Sequence, residues 1–178
     1  TAIDHVNADT IYILPNNSNI ILAAEQATHL VEGKNIIVVP SKTVPQGITA
    51  IINFVPDMTP EENKENMIEE MKRVKTGQIT YAVRNTMIDD KEITEGDIMG
   101  IADKGIVAVG KEVEDTALET IKTMLDDESE LVTVYYGADV TEEQAEGFLE
   151  KVQEVCGDCD VELQFGGQPI YYYLISVE

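Results

Sequence analysis

Ile11-Tyr12-Ile13-Leu14-Pro15-Asn16-Asn17-Ser18-Asn19-Ile20 passes from a short apolar run into turn and helix-cap residues, and that change decides the fold class. Pro15 closes the run because it has no amide to donate, while Asn and Ser side chains favour turns and helix starts. Apolar residues then recur at Ile20, Ala23, Ala24, Ala27, Leu30 and Val31 with only Glu25 and Glu32 charged, so the spacing predicts a largely buried helix that Gly33 ends. Ile36 to Val39 is a second β-branched run. A strand-helix-strand unit of this length places its strands parallel, joined by a right-handed crossover.

Outward from that unit, Val44-Pro45-Gln46-Gly47 leads into a short apolar helix around Ile48, Ile51 and Ile52, closed by Pro56 and Asp57. Thr59, Pro60 and Glu62 form a capping box with Pro at the first helical position, and Met67, Ile68, Met71 and Val74 make the apolar stripe of the helix that follows. From Gln78 to Gly110 the runs Ile79–Val83, Ile98–Ile101 and Ile106–Val109 are short and punctuated, as at Asp103-Lys104-Gly105, which reads as hairpins. Ala117, Leu118, Ile121 and Leu125 give a helix from about Val113 to Leu125. The last third repeats the first in outline. Leu131 to Tyr135 is a strand, Thr141 with Gln144 a second capping box, Ala145, Phe148, Leu149, Val152 and Val155 a buried helix face, and Val161 to Phe165 and Ile170 to Val177 are strands. The expected fold is α/β in two small lobes, residues 1–76 and 77–178, with parallel strand-helix-strand units and an intervening β-hairpin region.

The 34 acidic and 12 basic side chains give a formal charge of -22, which repels nucleic acid and anionic membranes and steers cationic surfaces inward; it also serves solubility. Two cysteines are too few for a disulfide framework, no stretch reaches transmembrane length, and Thr1 to Asp9 carry no secretion signal, so a reducing cytoplasm is expected. The absence of an initiator Met suggests a piece of a longer polypeptide.

No phosphate-binding glycine loop is present, and His5 and His29 lack the partners of a hydrolase site. Cys156-Gly157-Asp158-Cys159 has redox or zinc spacing. It follows a helix rather than opening one, and no second pair of cysteines completes a zinc site, so a structural role is expected. Ligands in open α/β sheets bind beyond the carboxyl ends of strands. Asn16, Asn17, Ser18 and Asn19, with Ser41 to Gly47 and so Pro45, Gln46 and Gly47, would meet there and could hold a carboxylate or phosphate; capping and turn formation account for the same residues.

Leu14 to Ala27, Lys42-Thr43-Val44-Pro45-Gln46-Gly47, Thr80-Tyr81-Ala82-Val83-Arg84 and Gly166-Gly167-Gln168-Pro169-Ile170-Tyr171 are four ordered motifs. Through them the chain resembles the C-terminal domain of the bacterial fatty acid kinase A subunit, which is related to dihydroxyacetone kinases. The resemblance implies a DegV-like fold, no catalytic residues, metal or cofactor in this domain, and a kinase domain and a central domain elsewhere in the same polypeptide. It further implies a DegV-type B subunit that carries the fatty acid. Lipid-binding members have Ser-Gly-rich loops and a late His-x-Gly-Pro-Gly type segment. Here Asn16 to Asn19 contains no Gly, and Gly166-Gly167-Gln168-Pro169 no His.

The expected role is therefore docking of the acyl-carrying B subunit, through a basic surface on that partner; the alternatives are an acyl-chain or small-anion site at the two loops, or a degenerate structural lobe. Three acidic groups are candidate contacts: Glu61, Glu65 and Glu69; Asp89, Asp90, Glu92, Glu95 and Asp97; and Asp126, Asp127, Glu128 and Glu130. Lys64 and Arg73 partly neutralise the first through helical spacing, whereas the second has only Lys91 nearby and stands first.

Overall fold

A computed structural model describes residues 2–88 and 91–178, which divide into two compact units, Thr1–Val74 and Lys75–Glu178. In the first, a short helix α1 (Ala2–His5) precedes β1 (Thr10–Ile13). A single 3-10 turn at Ser18–Ile20 then opens α2 (Ile21–Thr28), and β2 (Asn35–Val38) pairs parallel with β1, Ile11 against Ile36. Helix α3 (Val44–Ile52) is capped by the Thr43 hydroxyl, which accepts from the Gln46 amide. Helix α4 (Pro60–Met71) carries the complete Thr59–Glu62 capping box, so local chemistry alone accounts for where it starts.

The buried Asn63 of α4 holds the connection from α3 in place. Its Oδ1 accepts from the Val55 amide at 2.8 Å and its Nδ2 donates to the Val55 carbonyl at 2.7 Å. Val39, Ala50, Met67 and Met71 form the core of this unit, with Tyr12, Leu14 and Ile68 packed against them. The expected burial of α2 is overturned: none of its residues is buried, and Leu22 and Leu30 are exposed. A sheet of two strands offers too narrow a face to cover both flanking helices.

The second unit is built on a six-stranded mixed sheet in the order β7-β6-β3-β10-β8-β9. Its strands are β3 (Lys75–Tyr81), β6 (Ile98–Ala102), β7 (Gly105–Gly110), β8 (Leu131–Tyr136), β9 (Asp160–Phe165) and β10 (Tyr173–Val177). A separate two-stranded sheet, β4 (Thr86–Ile88) antiparallel to β5 (Lys91–Ile93), lies in the chain between β3 and β6. Strands β8 and β9 are parallel, as the strand-helix-strand reading requires, whereas β10 runs antiparallel to both its neighbours, β3 and β8.

Helices α5 (Val113–Met124) and α6 (Glu142–Cys156) supply the apolar layer on this sheet. Helix α5 lies so close that a Cβ at Gly100 would fall 1.8 Å from the Thr120 hydroxyl, and one at Gly110 2.5 Å from that of Thr116. Phe148 and Tyr173, both fully buried, stack at 4.5 Å, a pair worth about 1 kcal/mol beyond its buried area. Among the described residues no helix is long and apolar enough to cross a membrane.

Candidate docking surfaces

The three acidic groups fare differently. Glu61, Glu65 and Glu69 line the exposed side of α4. Glu69 bonds Lys72 at 2.8 Å, and Arg73 takes Glu70 rather than Glu69, at 3.4 Å; the Lys72 hydrogen bond holds the Glu69 carboxyl below its ordinary value. Asp126, Asp127, Glu128 and Glu130 are exposed, but Asp126 bonds Lys75 and accepts from Ser129 and the Glu128 amide, closing the turn after α5. Of the hairpin group, Asp89 and Asp90 lie outside the described residues, and Glu92 and Glu95 are exposed.

Asp97 does not belong with them, contrary to expectation. It is 6% exposed, bonds Lys111, and accepts from the Thr94 amide at 3.0 Å, and these two hydrogen bonds lower its pKa. A buried, paired carboxylate ties the base of the hairpin to β7 and offers a partner little. Nothing at the sequence level distinguishes Asp97 from Glu95, because Lys111 reaches it only through the fold.

The loops after β1 and β2 do meet. Ser41, fully buried, donates through Oγ to Asn16 Oδ1 at 2.7 Å and accepts from the Asn16 amide at 3.1 Å. A Cβ at Gly47 would lie 2.0 Å from Asn16 Oδ1, so the Asn16 side chain fills the gap between the loops. Asn17 caps the 3-10 turn by accepting from Asn19, and Gln46 accepts from the Lys42 amide at 2.9 Å. Asn16 with Ser41, Asn17 with Asn19, and Gln46 with Lys42 are thus bonded within these loops. Pro45 is buried in α3, and Ser18 and Asn19 are exposed.

Cys156 is buried at the carboxyl end of α6, and its thiol is pushed up to about 11, first by burial and then by Cys159. Cys159 donates to the Ser129 carbonyl at 3.0 Å. Among the described residues no three His, Cys, Asp or Glu side chains are grouped to hold a metal.

A further surface emerges only in the folded chain. Ile79, Tyr173, Tyr136 and Phe165 share a register line, so the end of β3, the start of β10 and the ends of β8 and β9 form one edge of the sheet. Exposed there are Phe165 (69%), Ile170 (56%) and Val83 (73%), the last two residues beyond β3. The sequence predicts strand throughout from Ile170, but β10 begins only at Tyr173, and Ile170 has φ +74°. The Tyr171 amide donates to the Pro169 carbonyl at 2.8 Å, which makes a γ-turn centred on Ile170. The available signal was the absence of charge from Thr76 to Val83 and from Leu163 to Val177 in so acidic a chain.

The fold is DegV-like. A Streptococcus pneumoniae Fatty Acid Kinase (Fak) B3 protein loaded with linoleic acid superposes with TM-score 0.65 at 10% identity, over 99% of this chain and 74% of that one. A DegV-family protein from Ruminococcus gnavus, refined with vaccenic acid, gives 0.63 at 13% identity, over 99% of this chain and 74% of its own. At such identities the likeness speaks for fold alone. Over residues 1–178 the chain matches the family of fatty acid kinase A-subunit-like C-terminal domains, and it belongs to that family. Protein YloV of Bacillus subtilis (strain 168) is 42% identical over 177 residues, 99% of this chain and 32% of the relative; an uncharacterized protein of Staphylococcus aureus (strain MRSA252) is 42% identical over 93% of this chain and 30% of its own length. The chain thus spans about a third of the length of the curated relatives it matches.

Proposed function

We propose that this domain is a non-catalytic docking module. It holds a DegV-type, fatty-acid-carrying protein beside a kinase domain of the same polypeptide, so that encounter of acyl carboxylate and phosphoryl donor becomes nearly intramolecular. The observation that carries the reading is the charge distribution. The second unit has 24 acidic and 7 basic residues, the first 10 and 5, and Glu92 on β5 and Glu95 in the turn after it stand exposed. Such a surface attracts a basic partner and rejects anionic ones. A second reading, an anion site at the loops after β1 and β2, draws on their convergence, but Asn16 already occupies the place an anion would take.

Titration against an acyl-loaded DegV-family protein tests the docking. Reversing Glu92 and Glu95 to Lys should weaken binding by roughly 1 to 3 kcal/mol and slow association, and raised salt should weaken the wild-type complex. Affinity that is unchanged at low salt by reversals in all three acidic groups would remove the electrostatic basis of the proposal.

A further inference from the structure

We infer that the charge-free edge of the second unit is the apolar centre of this docking contact, with Ile170 as its anchor, and that it fits a protein offering an apolar socket rimmed by basic side chains. The inference rests on the docking reading and adds where the contact is made.

The backbone at Ile170 is the first argument. A β-branched residue at φ +74° is a steric outlier, and Gly or Asn would adopt that conformation with far less strain. The turn is nevertheless fixed from all sides. Thr80 donates to the Ile170 carbonyl at 2.9 Å, the Ala138 amide to the Gln168 carbonyl at 3.0 Å, and Gln168 Nε2 to the Tyr135 carbonyl at 3.0 Å. Gly137 lies so close beneath that its Cβ would meet the Tyr171 carbonyl oxygen at 2.2 Å. Strain held by so many contacts yields a fixed isoleucine that is more than half exposed, which suits it to a contact outside the fold.

The surroundings give the second argument. Phe165, packed on Tyr136 at 5.2 Å, and Tyr81, near Tyr172 at 6.2 Å, share the edge with Ile170 and Val83. Aromatic and aliphatic anchors of this kind dominate binding energy at protein interfaces. A small cleft of about 110 Å³ adjoins the edge where Tyr172 and Tyr173 meet Val113, and it is lined by Glu114, which bonds Lys151, and by the exposed Asp139. An apolar centre on a unit with 24 acidic and 7 basic residues complements a socket with a basic rim, while a second copy of this chain, at -22, is repelled.

The test uses a DegV-family fatty-acid-binding protein from the same organism, loaded with oleic acid, titrated against the wild-type chain and Ile170→Gly with thermal melts alongside. Glycine relieves the turn, so Ile170→Gly should melt no lower than wild type yet bind at least about tenfold more weakly, and Phe165→Ser should weaken binding as well. Wild-type binding that Ile170→Gly leaves intact overturns the anchor and spares the docking reading, whereas no binding by the wild type overturns both. A loss of affinity that tracks a lower melting temperature makes Ile170 structural. A wild-type dimer that Ile170→Gly dissociates gives the edge to a second copy, and either result overturns the inference.

Discussion

A pair of cysteines at metal or redox spacing takes its chemistry from where it sits. Thiols become reactive when a helix amino terminus or a cation favours the thiolate; Cys156 instead ends α6, buried and beside Cys159, and both effects disfavour charge. In the native chain at pH 8, iodoacetamide should leave Cys156 unmodified, with labelling rising only as pH approaches about 11. Rapid labelling at pH 8, followed by peptide mass analysis, would contradict that picture. Asp97 and Ile170 mark the limit of reading residues singly. One is a carboxylate whose partner, Lys111, follows β7, and the other a strand-forming residue held in a turn by Thr80 and Gln168. Both outcomes are set by contacts far apart in sequence, which local pattern does not encode.

Elements whose determinants lie within one turn were the legible ones. Both capping boxes appear where Thr59–Glu62 and Thr141–Gln144 indicate, because the hydroxyl, the third amide and the returning side chain are neighbours whatever the tertiary fold does. Thr141→Ala should therefore lower the unfolding free energy of the second unit by about 1 kcal/mol in urea, with Thr141→Ser recovering most of it. A loss below a few tenths would show that α6 is held by packing alone. The burial of α2 was not legible. Spacing at Ala23, Ala24 and Ala27 states that a helix has an apolar side and is silent on how fully anything covers it; two strands leave it half-buried at best. Nor does the run before Val177 announce that its strand lies between β3 and β8, since pairing order is a property of the whole sheet.

For the molecule as a whole, charge and family point the same way. A chain at -22 without a phosphate-binding loop, covering about a third of its relatives' length, should give no saturable heat with Mg-ATP in calorimetric titration. A stoichiometric micromolar isotherm would place a nucleotide site in this domain and end the docking-only reading. The position of β10 has a further consequence, in time rather than space. The strand made last in this unit is the one in its middle, pairing Tyr173 with both Ile79 and Tyr136. While the chain is being synthesised, β3 with its hairpin partners and β8 with β9 can form only as two separate ribbons, each with an open edge. The sheet closes after Val177 has cleared the ribosome, so this unit folds late, from its carboxyl end inward, and depends until then on whatever shields two unpaired strand edges from other nascent chains.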